Sequence, residues 1–158
     1  MRALVLFDRD DDKQARAARA LTLADFGVAE DQGQRPPSLL GYRRAPAADA
    51  VLPADTWTPK QLTYAGTVRP GVAQGVLAKA YDLVVNLVPE AFPPFDFLCA
   101  EIAAHLRAAS HDEAMHAYDI VIRPGATRTD AATPPAHPAA FLPELRAYLR
   151  ALNPHLHG

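Results

Sequence analysis

Two hydrophobic periods alternate along this chain. "ALVLFD" (Ala3 to Asp8) and "DLVVNLV" (Asp82 to Val88) are short apolar runs of the kind that form strands buried on both faces. In the second run, Leu83, Val85 and Leu87 alternate with Val84, Asn86 and Val88, which predicts a central strand. Helical spacing takes over between such runs. "DKQARAARALTLADFG" offers Ala17, Ala20, Leu21, Leu23, Ala24 and Phe26 as a buried stripe, with Asp10 to Asp12 at its start and Gly27 as its stop. "PPFDFLCAEIAAHL" predicts a helix whose Phe95, Leu98, Ile102 and Leu106 share one face. Leu142, Leu145, Leu149 and Leu152 do the same in the last helix, which Asn153 and Pro154 end.

The weaker segments complete the order. "SLLGYRR" (Ser38 to Arg44) predicts a second strand, residues 45–59 a proline-rich loop, and "QLTYAG" (Gln61 to Gly66) a short strand. A helix is expected over Pro70 to Ala80, a strand around Leu106 to Ala109, and a last strand over Tyr118 to Arg123. Only Ser110 to Ala117 separates those two strands, too few residues for a helical crossover, so the last strand is expected to run antiparallel. The fold class is therefore α/β: a three-layer Rossmann-like sandwich with a mainly parallel sheet and one late antiparallel strand. Residues 1–153 form one domain on this reading, followed by a tail at 154–158 in which "HLH" is solvated.

Composition narrows the function classes. The chain has 158 residues, 49% hydrophobic and 22% charged, enough for one continuous core. A net charge of -2 argues against nucleic acid as a partner. No apolar stretch reaches the ~20 residues of a membrane helix, and the acids after the first strand exclude a secretory leader, so a cytoplasmic location is expected. Cys99 is the only cysteine; it suits a reducing compartment and lies in an apolar helix as a buried thiol.

The order "WTPKQLTYAG", "YDLVVNLVP", a helix, "HLRAAS", "YDIVI" and "FLPELRAYLRALN" resembles a small, uncharacterised bacterial family of unknown function. Its members carry a lysine, an aromatic and a glycine before a strand of the type Tyr/Phe-Asp-Leu-Leu-Ile-Asn-Leu. Lys60, Tyr64 and Gly66 match the first part, and Tyr81, Asp82, Asn86 and Leu87 the second. "LRAAS" departs from the Lys-Phe-Arg/Lys-Val-Gly-like strand that follows in the relatives. The resemblance implies an α/β fold and brings no activity or catalytic residues with it.

Chemical motifs are partial. "LVLFDRDDD" looks like the first motif of haloacid-dehalogenase-type phosphotransferases, with Asp8 as nucleophile and Asp10 as proton handler around a magnesium ion. Asp11 and Asp12 depart from that motif, and no later strand ends in the acidic pair that completes it. Acids favouring a helix N-terminus are the plainer explanation. His111 and His116 are five apart in a segment read as loop, where a zinc helix needs a spacing of four, so no metal site is expected. Phosphate-cradling glycine loops and a nucleophile elbow are absent.

Two function classes follow. The first is a binding or assembly module without a predicted cofactor. The second is a metal-dependent phosphotransferase or phosphatase-like enzyme using Mg, or a remnant related to nucleotide-sugar enzymes, where the order of elements is similar to the N-terminal half of heptosyltransferase-type glycosyltransferases. Whether the chain is an enzyme stays open between them. A ligand should bind where parallel strands end, which selects Asp8, Asp10, Asn86, Glu90, Ser110 and Asp119, with Asp8 and the Ser110 loop expected to share any pocket. Partners carried forward are a small-molecule ligand and a homodimer formed through helix faces or an open sheet edge.

Overall fold

The computed structural model describes residues 1–22, 36–111, 117–122 and 141–152. Among these residues six strands form one sheet: β1 (Ala3–Asp8), β2 (Ser38–Tyr42), β3 (Thr56–Trp57), β4 (Tyr81–Asn86), β5 (Ala104–Ala109) and β6 (Ile120–Val121). Their spatial order is β3-β2-β1-β4-β5-β6, and every neighbouring pair is parallel. Four α-helices accompany them among the described residues: α1 (Asp12–Ala20), α2 (Gln74–Leu77), α3 (Pro93–Glu101) and α4 (Leu142–Leu152).

The alternation in β1 and β4 divides the core into two halves. Ala3, Val5 and Phe7, with Leu83, Val85 and Leu87, pack against Ala15 and Ala18 of α1, against Leu145 of α4 and against Phe141 just before it. Leu4, Leu6 and Val84 face the other way, onto Phe95, Leu98, Cys99 and Ile102 of the α3 region. Each large side chain buried this way contributes about 1.5–3 kcal/mol, which is why both faces of the central strands are apolar. Cys99 is buried, as its apolar helix implies.

β6 corrects the expected antiparallel strand. It pairs in parallel with β5 through Ala108↔Ile120 and Ala109↔Val121. Ten residues, 110–119, suffice because β6 meets only the last two residues of β5. The chain then backs up by a few residues at ~3.3 Å each instead of retracing a whole strand. The direction also moves Asp119. Its carboxylate accepts from the Arg107 backbone N–H (2.7 Å), and its own N–H donates to the Arg107 carbonyl, at the amino end of β6. Asp119 therefore lies away from the carboxyl edge, and Arg123 falls outside the described residues.

Other elements differ in extent. α1 ends at Ala20, and its buried positions are Gln14, Ala15 and Ala18, with Ala20 exposed, so the apolar stripe is turned from the expected one. Leu23, Ala24, Phe26, Gly27, His116, Asn153 and the tail lie outside the described residues. α3 stops at Glu101, and Leu106 belongs to β5. Arg107 ends that helix: Nε donates to the Cys99 carbonyl (2.7 Å) and Nη2 to the Ile102 carbonyl (2.8 Å), serving groups the last turn leaves open. The helix expected over Pro70 to Ala80 contracts to α2.

"QLTYAG" is not a strand. Thr58 and Gln61 form a capping box with Pro59 at the first position, producing a 3-10 turn over Pro59–Gln61. Gly66, at φ 80°, then closes a tight turn. The third strand sits earlier, at Thr56–Trp57, in the stretch expected to be loop.

Candidate functional site

The sheet order reverses direction between β1 and β4, and in open parallel sheets the crevice outside the carboxyl ends at such a reversal is where ligands lie. A niche of about 10 Å³, room for a single water, opens there between Asp8, Tyr42, Arg44, Val88, Phe92 and Phe95. Its apolar wall is an aromatic cluster, with Tyr42–Phe92 centroids 4.7 Å apart and Phe92–Phe95 5.1 Å apart. Its rim is charged. Arg44 Nη2 lies 3.4 Å from Asp8 Oδ2, and the Arg44 N–H donates to Asp10 Oδ2 (2.7 Å). Asp8 Oδ1 accepts from the Asp10 N–H (2.8 Å), while Arg43 Nε stands 3.4 Å from Asp10 Oδ1 without completing a hydrogen bond. Burial pushes the Tyr42 phenol up, against the opposing pull of the Arg44 charge.

The turn from β1 into α1 is already filled from within. In doubly wound folds this turn holds phosphate on the helix N-terminus. Here Asp11 Oδ1 accepts from the N–H groups of Lys13 (2.8 Å) and Gln14 (3.1 Å). Buried Gln14 reaches back so that its Oε1 accepts from the Asp8 N–H (2.9 Å). A phosphate approaching this helix meets the Asp11 carboxylate where it needs donors. Arg9 points elsewhere: it crosses β2 over Gly41, lies 5.1 Å above the Phe7 ring and pairs with Asp55 at 2.6 Å. A Cβ at Gly41 would come within 2.5 Å of the Arg9 side chain, so this glycine is the gap through which the arginine passes.

Beneath the niche lies a second polar group, almost wholly buried. Asn86, Asp96 and His111 are 0%, 3% and 8% exposed. Asn86 Nδ2 donates to the Tyr118 hydroxyl (2.6 Å), which donates to Asp96 Oδ1. His111 Nε2 stands 3.1 Å from the same oxygen, and Nδ1 lies 2.9 Å from the Val88 carbonyl. A carbonyl can only accept, so Nδ1 carries a hydrogen; the Asp96–His111 contact then shares one further proton. Burial raises the Tyr118 phenol far above its ordinary value, reinforced by its hydrogen bond to the Asp96 carboxylate.

This network braces the niche. Asn86 Oδ1 accepts from the Val88 N–H (3.0 Å), and Asp96 Oδ2 from the Phe92 N–H (2.8 Å). Val88 and Phe92 are niche walls, so the buried polar residues fix the loop that shapes it. With both ring nitrogens engaged, His111 is not placed to activate Ser110, whose buried Oγ has no hydrogen bond among the described residues. Ser, His and Asp are neighbours, but they do not form a nucleophilic relay.

The expected site residues therefore divide. Asp8 lines the niche and Asp10 braces its rim. Asn86 supports it from below, and Glu90 is exposed on the loop after β4. Ser110 follows β5, with β4 between it and Asp8, about two strand spacings (~10 Å) across the sheet. Tyr42, Arg44, Phe92 and Asp96 were not selected from sequence. Of these, only Asp96 left a signal, as an acid inside the apolar run "PPFDFLCA". Among the described residues no group of three or more His, Cys, Asp or Glu side chains converges. The magnesium set of the phosphotransferase motif does not fit either: Asp8 and Asp10 face arginines, and the end of β4 offers Asn86, turned into its own network.

Fold and edge define an open, doubly wound parallel α/β domain of Rossmann-like kind. No described helix is long and apolar enough to cross a membrane. A family model described as a family of unknown function, DUF6913, matches residues 2–152, and the chain belongs to that family. Neither the curated proteins nor the solved structures give a match.

Proposed function

We propose that the protein is a small-molecule binding module whose ligand enters the carboxyl-edge crevice between β1, β2 and β4. The observation that carries this reading is the coincidence of the strand-order reversal with the aromatic niche closed by Asp8 and Arg44. Tyr42 and Phe92 offer ring faces for a planar group, and Asp8 and Asp10 offer acceptors for hydroxyl or amino hydrogens. Asp11 at the α1 N-terminus, flanked by Asp10 and Asp12, disfavours a phosphate at that helix. The ligand class is thus planar, hydroxyl- or amino-bearing and without phosphate. The Phe92 ring, only partly buried, turns aside on its fixed backbone to admit it.

A side-chain NMR titration with adenosine, and adenosine monophosphate as counter-probe, tests this. Adenosine should shift the Tyr42 and Phe92 resonances, Asp8→Asn should weaken that response, and the monophosphate should bind less well. Unmoved Tyr42 and Phe92 signals with adenosine and with a panel of planar hydroxylated fragments would remove the reading. Magnesium-dependent hydrolysis of a generic phosphoester, abolished by Asp8→Asn, would restore the phosphotransferase alternative in its place.

A further inference from the structure

Much of the apolar helix surface expected to drive self-association packs inside the fold among the described residues. The apolar face of α3 is spent on Leu6, Trp57 and their neighbours, and Leu142, Leu145 and Leu149 of α4 pack into the opposite half of the core. Among the described residues the outer strands β3 and β6 have two residues each. Among the described residues Val51 and Tyr64 are large hydrophobic side chains fully presented to solvent, and Tyr64 is the aromatic one, carried on a tied turn.

The turn under Tyr64 is tightly tied. The Thr63 N–H donates to the Thr67 carbonyl (2.7 Å), the Gly66 N–H to the Thr63 carbonyl (3.0 Å), and the two threonine hydroxyls lie 2.7 Å apart. Leu62 and Val68 form an antiparallel bridge below, and Arg69 Nε donates to the Leu62 carbonyl (2.8 Å). An aromatic held this way loses little freedom on docking, the usual property of an interface anchor. Beside the same turn lies a cleft of about 280 Å³ between the hairpin and α3, lined by Thr67, Val68, Ala73, Phe97, Leu98 and Glu101. Lys60 and Arg69 are exposed at the base of the hairpin, and Glu101 is exposed at the cleft.

We propose that two copies of this chain associate by exchanging Tyr64, each ring seating in the other copy's cleft between hairpin and α3. Anchor and receptor share one surface, which is what a two-fold, self-matching interface requires. The charges match as well: Lys60 and Arg69 of one copy meet Glu101 of the other, and the relation repeats by symmetry. The contact falls in the small class, below ~1,200 Å², so the dimer is reversible and concentration-dependent. It lies apart from the carboxyl-edge crevice and stands independently of the binding reading.

Sedimentation of the full chain over a wide concentration range tests the exchange. The wild type should pass from monomer to dimer as concentration rises. Tyr64→Ala should weaken association on the order of tenfold or more, with an unchanged thermal midpoint at concentrations where the wild type is monomeric, because the side chain is fully exposed there. Glu101→Lys should weaken it too, and Lys60→Glu combined with Glu101→Lys in one chain should recover it. A wild type that stays monomeric at every concentration overturns the proposal. So does a dimer indifferent to Tyr64→Ala, or a double reversal that recovers nothing.

Discussion

Two polar clusters occupy the carboxyl edge a few residues apart, and they are built on opposite terms. The rim cluster of Asp8, Asp10, Arg43 and Arg44 comes from consecutive or neighbouring residues at the ends of β1 and β2, open to water, with contacts of 2.7–3.4 Å. The deep cluster of Asn86, Asp96, His111 and Tyr118 draws one residue each from the end of β4, from α3, from the segment after β5 and from the approach to β6. Water can replace any rim contact at little cost. Nothing can replace a deep one. The rim is therefore free to exchange partners, as the proposed binding requires, while the deep cluster fixes the backbone of Val88 and Phe92.

The largest effect separating the two should come from Asp96→Ala. It leaves the Tyr118 hydroxyl, His111 and the Phe92 N–H without their shared acceptor, and breaking such a buried pair costs about 3–5 kcal/mol. Chemical denaturation reads this directly; a loss near that of a surface substitution would erase the distinction between the clusters. Next comes Gly41→Ala, expected to lose about 1–3 kcal/mol because the new Cβ collides with Arg9 at 2.5 Å. Pairing it with Arg9→Ala should recover part of the loss, and purely additive losses would refute the collision.

Asn86→Ala should cost ~1–3 kcal/mol by stranding the Val88 N–H and the Tyr118 hydroxyl. Asp10→Ala at the rim should cost less than about 1 kcal/mol. Equal losses for the pair would show that depth does not decide their worth. The smallest and most selective test is alkaline pH. The folded-state pKa of Tyr118 is raised, so its stabilising effect is complete below the unfolded value of ~10 and is lost as pH rises beyond it, by up to about 1.4 kcal/mol per pH unit. Tyr118→Phe should flatten the alkaline fall in the denaturation midpoint. It should not abolish that fall, because burial raises Tyr42 and Tyr81 as well. An unchanged slope would place the alkaline sensitivity elsewhere.

How much of this was legible differs by cluster for the same reason. The rim acids stand beside one strand end, so "LVLFDRDDD" displayed them together, and the apolar run before them placed them at the edge. The deep cluster spans residues 86–118, and only the folding of α3 back along the sheet brings Asp96 within 3.1 Å of His111. Tyr42, Arg44 and Phe92 were equally silent, since a tyrosine ending a strand and a phenylalanine before two prolines signal only core and cap. "TPKQ" did carry a capping box that opposes a strand at 61–66, and its physical meaning was in plain view.

What the residues determined alone were the two-faced strands β1 and β4, the starts of α1 and α3 and the apolar face of α4. Each of these follows from side-chain period, proline and capping chemistry within one short segment. Tertiary structure decided the direction of β6, the contraction of the helix expected over Pro70 to Ala80, the path of Arg9 through the gap at Gly41, and the union of Asn86, Asp96, His111 and Tyr118. Those features depend on distances between segments remote in the chain. The short link from Ser110 to Ala117 reads as antiparallel until the sheet shows that only two residues of β5 have to be matched.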